Sequence, residues 1–100
     1  MEALTNMDFK DLNQLVIDIA EKFFQARLQN KDLKEDDFDK FLLKVEKAYS
    51  VLKENEKNLI NNEFFYQSYS LWWEGIYSKA TFYRYKKEAM KSFLEAFYDE

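Results

Sequence analysis

Apolar residues recur at three- and four-residue intervals along the first half of the chain, which is the spacing of one face of an α-helix. The first stripe predicts a helix from Thr5 or Asn6, either of which can cap it, to about Leu28. The second predicts a helix from Glu35 to about Lys53. The two stripes consist of Phe9, Leu12, Leu15, Val16, Ile19, Ala20 and Phe23, and of Phe38, Phe41, Leu42, Val45, Ala48, Tyr49 and Leu52.

The second half of the chain predicts shorter helices joined by tight turns. Asn55 can cap a third helix, and Ser70 a very short fourth one that ends at Gly75, where a glycine can adopt the left-handed conformation that closes a helix. Ser78 can cap a fifth helix that runs to about Phe97. The inward positions are Leu59, Ile60 and Phe64 in the third helix, and Phe82, Tyr85, Ala89, Phe93 and Ala96 in the fifth.

These elements predict one all-α domain, a compact bundle of about five helices with a C-terminal helix-turn-helix. Residues 1–53 form an N-terminal helical pair, and residues 54–100 hold the helix-turn-helix part. Composition supports this class, because β-turns favour glycine and proline, and the 100 residues include one glycine and no proline.

Composition also restricts the chemistry. The chain has no cysteine and no histidine, so we expect no disulfide, no thiolate zinc and no imidazole base. It has no phosphate-binding glycine loop and no nucleophile paired with a base. The acidic cluster Glu35, Asp36, Asp37 and Asp39 lacks the calcium-loop pattern and fits the first turn of a helix. We therefore predict no enzyme, no cofactor and no metal site.

The sequence also predicts where the protein works. It has no apolar run of about 18 residues, so no membrane-spanning helix is expected. Residues 1–9 lack a basic segment followed by an apolar one, so they do not look like a secretory signal. We expect a cytoplasmic protein that has no membrane partner.

Positive charge is concentrated on the predicted fifth helix. Residues 1–77 carry a net charge of −5 and residues 93–100 carry −3, whereas residues 78–92 carry +4. Helical spacing places Ala80, Arg84, Lys87 and Lys91 opposite the apolar positions, with Tyr83 on the flank. Lys79 and Lys86 fall nearer the edge. This face is either a solvated helix surface or a surface that binds nucleic acid.

On the second interpretation, the helix lies in the major groove of duplex DNA. Arg84 can contact a guanine or a phosphate, and Tyr83 a thymine methyl group or a phosphate. The small side chain of Ala80 permits close approach, and the lysines contact phosphates. The candidate DNA-binding residues are Ser78, Lys79, Ala80, Thr81, Tyr83, Arg84, Lys86, Lys87 and Lys91.

Adjacent aromatic residues occur three times, at 23–24, 64–65 and 72–73. In a helix, neighbouring side chains point in different directions, so Trp72 and Trp73 are not expected to face the same core. One can pack inside while the other is exposed or meets a partner. We predict that Trp72, Trp73, Phe64 and Phe65 contribute to a protein interface, which includes the case of a homodimer.

Three segments resemble a known family of DNA-binding domains. They are LKENEKNLI at 52–60, LWW at 71–73 and YSKATFYRYKKEAM at 77–90. Together they resemble region four of bacterial sigma factors and, more closely, phage ArpU-type transcriptional regulators, over about residues 40–97. The resemblance implies a recognition helix that enters the major groove, with Lys79, Ala80, Tyr83, Arg84 and Lys87 at the matching positions. It also implies RNA polymerase as a second partner.

Two functions follow from the sequence. The first is a small DNA-binding transcription regulator or sigma-like accessory factor that uses residues 78–97 as its recognition helix. One such helix with few arginines predicts modest affinity, so this protein would act as a homodimer or tethered to RNA polymerase. The alternative is a helical protein-interaction module, including one that binds RNA polymerase, that has lost DNA binding.

Overall fold

The computed structural model describes residues 7–28, 35–65 and 71–98, and the side chains of residues 7–25, 40–65 and 71–98. Over these ranges the chain is mostly helical and contains no β-strand, as predicted. None of its described helices is long and apolar enough to cross a bilayer. The elements are α1 (Phe9–Leu28), α2 (Glu35–Ser50), α3 (Glu54–Ile60), a π-helical turn (Asn61–Phe65) and α4 (Lys79–Phe97).

The first helix begins at Phe9, the first residue of its apolar stripe, and later than the predicted caps Thr5 and Asn6 would place it. The carboxylate of Asp8 accepts a hydrogen bond from the backbone N–H of Asp11 at 2.9 Å, so Asp8 occupies the capping position. The helix therefore starts at Phe9. Thr5 and Asn6, the predicted caps, lie outside the described residues.

The junction between α2 and α3 also differs from its prediction. The helix α2 ends at Ser50 rather than near Lys53, and the Ser50 hydroxyl donates a hydrogen bond to the carbonyl of Lys47 at 2.8 Å. The Glu56 carboxylate then accepts from the backbone N–H of Lys53 at 2.9 Å. This bond starts α3 at Glu54, earlier than a cap at Asn55 would allow.

The core forms around α4, which contacts α1, α2 and α3. Most predicted inward positions are buried, and the others whose side chains are described are half-buried; the side chain of Phe38 lies outside the described residues. The buried side chains are Leu12, Val16, Ile19, Ala20, Val45, Ala48, Leu52, Leu59, Ile60, Phe64, Phe65, Phe82, Ala89, Met90, Phe93, Leu94 and Phe97.

The π-helical turn buries two aromatic residues that the sequence assigned to an interface. The ring of Phe65 meets those of Phe23 at 5.4 Å and Phe93 at 6.0 Å, both edge to face. Phe64 is equally enclosed. The prediction that Phe64 and Phe65 face a partner is therefore wrong, because both side chains are buried and Phe65 packs on α1 and α4.

The predicted short helix at 71–73 is replaced by two consecutive turns. The N–H of Glu74 bonds to the carbonyl of Leu71 at 2.9 Å, and the N–H groups of Ile76 and Tyr77 bond to that of Trp73 at 2.9 and 3.0 Å. Leu71 has a φ of 60°, which is incompatible with a right-handed helix. The first helix of the predicted helix-turn-helix is thus absent from residues 71–77, and Ser70, its predicted cap, lies outside the described residues.

Gly75 closes the second of these turns with a φ of 94°. We expect Gly75→Ala to lower the free energy of unfolding by about 1–2 kcal/mol, because a Cβ is strained at this φ. No atom lies within 4 Å of the position a Cβ would take, so the loss comes from the backbone alone. Urea unfolding measures this loss of stability. Gly75→Asn is the control, and its loss should be smaller because asparagine adopts a positive φ more readily than alanine. An alanine variant as stable as the original chain would contradict the strain.

Candidate nucleic-acid interface

The basic helix begins at a polar cap. The Ser78 hydroxyl oxygen accepts the backbone N–H of Thr81 at 3.2 Å, and the Ser78 O–H donates to the Thr81 hydroxyl oxygen at 2.9 Å. Ser78 is therefore the N-cap of α4, as predicted, and α4 starts at Lys79. Both hydroxyls, which the sequence placed among the DNA-binding residues, are engaged with each other and position the first turn.

One side of α4 exposes the predicted DNA-binding stripe. Lys79, Ala80, Tyr83, Arg84 and Lys87 are exposed, and Lys91 is half-buried one turn further along. The opposite side of the helix is buried in the core. The helical spacing therefore predicted the outward residues, and their contact with DNA stays a prediction.

Two side chains in the middle of this stripe are held by aromatic contacts. The ring of Tyr83 lies edge to face with Phe9 at 5.5 Å and with Trp73 at 6.5 Å between centroids. The Arg84 guanidinium lies over the ring of Tyr85 at 5.4 Å. These contacts reduce the rotamer freedom that each side chain would lose on binding a ligand.

Lys86 is not part of the exposed stripe, which corrects its assignment as a phosphate contact. Its side chain is only 13% exposed, and its Nζ lies 3.8 Å from Oε1 of Glu63. The same Nζ lies 5.2 Å from the ring centroid of Phe64, 5.6 Å from that of Phe9 and 6.0 Å from that of Phe82. Burial lowers the pKa of Lys86, and the Glu63 carboxylate offsets this only in part.

Lys86→Met is expected to raise the free energy of unfolding by about 1 kcal/mol near neutral pH, because it removes a desolvated charge and keeps a long apolar side chain. Between the lowered pKa and the ordinary 10.5, the unfolded chain binds more protons at this lysine than the folded one. The stability of the original chain therefore rises with pH across that window, and the advantage of the variant shrinks.

Urea unfolding at neutral and alkaline pH measures this difference. Lys87→Met is the matched control, because Lys87 is exposed one position further along α4. A Lys86→Met variant less stable than the original chain at neutral pH would mean that the ion pair and the ring contacts outweigh the desolvation.

Both tryptophans pack against the same residue, so the prediction that they face different directions is wrong. Trp73 stacks on Phe82 with 4.5 Å between centroids and 10° between planes, and Trp72 meets that ring edge to face at 6.0 Å. They converge because residues 71–77 form turns, in which adjacent side chains are not 100° apart as in a helix. Trp72 and Trp73 remain half-exposed, so their predicted contact with a partner stays untested.

The sequence did not single out two apolar side chains that stand out beside this surface. Leu71 is 54% exposed and Ile76 is 65% exposed, both in the turns that precede α4. The sequence predicted a short helix for Leu71, and a single exposed apolar side chain on such a helix does not indicate a binding surface. For Ile76, its position directly after Gly75 was the one indication in the sequence that its side chain lies in an exposed turn.

The described side chains contain no group of three residues that could hold a metal ion. The cluster Glu35, Asp36, Asp37 and Asp39 lies outside the described side chains. Functional assignment rests on the geometry of α4, because comparison of the chain with protein-family models, with curated proteins and with solved structures finds no match.

Proposed function

We propose that the protein binds duplex DNA through the exposed stripe of α4 and acts as a small transcription regulator or sigma-like accessory factor. The observation that carries the proposal is the coincidence of charge and exposure. The chain is acidic overall, with a net charge of −4, yet Lys79, Arg84 and Lys87 lie on one exposed side of one helix. A cationic helix face on an otherwise acidic protein is suited to bind a polyanion such as DNA.

Each position of the stripe has a role that follows from its chemistry. Ala80 lies in the first turn of α4, where a small side chain lets the helix approach base edges. Tyr83 lies at the centre and is held in place, which suits contact with a base, and Arg84 beside it can contact a phosphate. Lys79 and Lys87, together with Lys91, are suited to phosphates.

In this proposal α4 acts as the recognition helix, although no helix precedes it in residues 71–77. The turns at 71–77 stand where the sequence predicts a short first helix, and they pack on α4 through Trp72 and Trp73. The N-terminal half of α4 is thereby braced from behind, which a helix that enters a groove requires.

The number of charges limits the affinity of one copy. Four phosphate contacts release about four counterions, so the logarithm of the binding constant should fall with the logarithm of salt concentration with a slope of about −3 to −4. This corresponds to roughly a 100-fold weakening between about 50 and 200 mM salt. Two copies, or one copy tethered to RNA polymerase, would then supply the affinity for a specific site.

A second candidate function is supported by Leu71 and Ile76. Large apolar side chains exposed next to a functional surface favour contact with another protein. In this alternative the turns at 71–77 and the adjacent end of α4 bind a protein, including RNA polymerase, without DNA.

Fluorescence anisotropy of a labelled mixed-sequence duplex, titrated with protein over a salt series, distinguishes the two functions. The DNA-binding function predicts saturable binding. The logarithm of the binding constant should fall linearly with the logarithm of the salt concentration, with a slope equivalent to about four phosphates. No binding at low salt would reject it and leave the protein-interaction function.

A further inference from the structure

A cavity of about 230 Å³ lies between α1, α2 and the π-helical turn, on residues that play no part in the proposed DNA surface. Its walls are mostly apolar, and its polar atoms are gathered on α2 and the π-helical turn. The lining residues are Phe23 and Phe24 from α1, Leu42, Val45, Glu46 and Tyr49 from α2, and Asn61 and Phe65 from the π-helical turn.

The π-helical turn shapes this cavity. A π-helix is wider than an α-helix and occurs mainly as short segments, frequently at functional sites. Here it brings Asn61 and Phe65 to the same wall. Phe24 from α1 and Leu42 from α2 also line the space and are half-buried, so the cavity is reached from solvent beside them.

The polar atoms of the cavity favour a ligand that donates hydrogen bonds and carries positive charge. The side-chain N–H of Asn61 donates to the hydroxyl oxygen of Tyr49 at 2.6 Å, which fixes both groups. The Glu46 carboxylate lies one turn before Tyr49 on α2. Glu46, Tyr49 and Asn61 line the same cavity and supply carboxylate, hydroxyl and amide oxygens to it, and an ammonium group has three N–H donors for three acceptors.

Size defines the rest of the ligand. A cavity of about 150 Å³ lined by apolar side chains can hold benzene, so about 230 Å³ accommodates one aromatic ring with a short chain. The edge-to-face rings of Phe23 and Phe65 offer an aromatic wall for it. Lys57 does not line the cavity, although its Nζ lies 5.6 Å from the ring centroid of Tyr49. Glu46 is therefore the one charged residue among the lining residues.

We propose that this cavity is a binding site for a small primary amine that carries one aromatic ring. The ring packs against the wall formed by Phe23 and Phe65, and the ammonium group bonds to Glu46 and to the Tyr49–Asn61 pair.

The test is a titration of the full chain with 2-phenylethylamine, followed by two-dimensional ¹H–¹⁵N NMR. A fragment of this size is expected to bind with a dissociation constant on the order of 1 mM. The expected result is saturable shifts centred on the backbone amides of Phe24, Val45 and Phe65. The absence of saturable shifts, or shifts centred elsewhere, would overturn the proposal.

Three variants and a second probe test the chemistry. Glu46→Gln should weaken amine binding at least fivefold, whereas Glu95→Gln, an exposed carboxylate outside the cavity, should leave it unchanged. Leu42→Phe should abolish binding by filling the space, and far-UV circular dichroism verifies that it folds. The probe 3-phenylpropanoate has the same ring with a negative charge and should not bind. Equal binding of both probes, or an unchanged affinity in Glu46→Gln, would overturn the assignment of an amine.

Discussion

Replacing Phe82 by alanine is expected to lower the free energy of unfolding by about 3–5 kcal/mol. Phe82 is 1% exposed and lies between the stacked ring of Trp73 and the edge of Trp72, with Tyr83 at 5.3 Å. Its removal leaves a cavity at the point where the turns at 71–77 pack on α4. Because small domains are stable by only about 5–15 kcal/mol, this variant should be partly unfolded under mild conditions.

Tryptophan fluorescence during urea unfolding measures this loss, and it is well suited because both tryptophans of the chain contact Phe82. Leu43→Ala is the control: Leu43 is 64% exposed on α2, so its truncation should change stability by no more than about 0.5 kcal/mol. A loss below about 1 kcal/mol for Phe82→Ala would show that the turns do not depend on this packing.

The second large effect concerns DNA. In the double variant Arg84→Ala, Lys87→Ala, duplex binding at low salt is expected to fall about 10- to 100-fold. The salt slope should also become shallower by about two, because two counterions are no longer released. Both side chains are exposed, so the folded structure should persist. Anisotropy titrations of the variant and the original chain at several salt concentrations measure both quantities.

The matched control removes the same amount of charge from another surface. Lys10 on α1 and Lys40 on α2 are exposed and lie outside α4. If Lys10→Ala, Lys40→Ala weakens binding as much as the double variant of α4, then binding follows net charge, and α4 has no special role. If neither double variant weakens duplex binding, the protein-interaction function gains support.

The apolar pattern predicted which side of each long helix is buried. In α1 it identified Leu12, Val16 and Ile19, and in α4 Phe82, Ala89 and Phe93, because a solvent-exposed helix must bury one face at a fixed period. The same period predicted the exposed stripe of α4. Helix ends were predicted less well, because they depend on single hydrogen bonds such as that of Asp8 to Asp11.

The errors at the site have a common cause. A helical wheel describes one helix, whereas Lys86 is enclosed by Phe9 from α1 and by Phe64 from the π-helical turn. Similarly, Trp72 and Trp73 converge on Phe82 because residues 71–77 form turns, and the positive φ at Leu71 where these turns begin carries no signature in the sequence. Contacts between distant segments decided these positions, and no local pattern reports them.

The position of α4 in the chain has a consequence for biosynthesis. The helix contacted by α1, α2 and α3 is the last of the described helices to be made, at residues 79–97. Until it has left the ribosome, the apolar faces of the earlier helices have no α4 to cover them, although N-terminal parts of proteins often fold during synthesis. We therefore expect stalled chains that lack residues 79–97 to remain sensitive to proteases, because α1, α2 and α3 then lack the helix on which they pack.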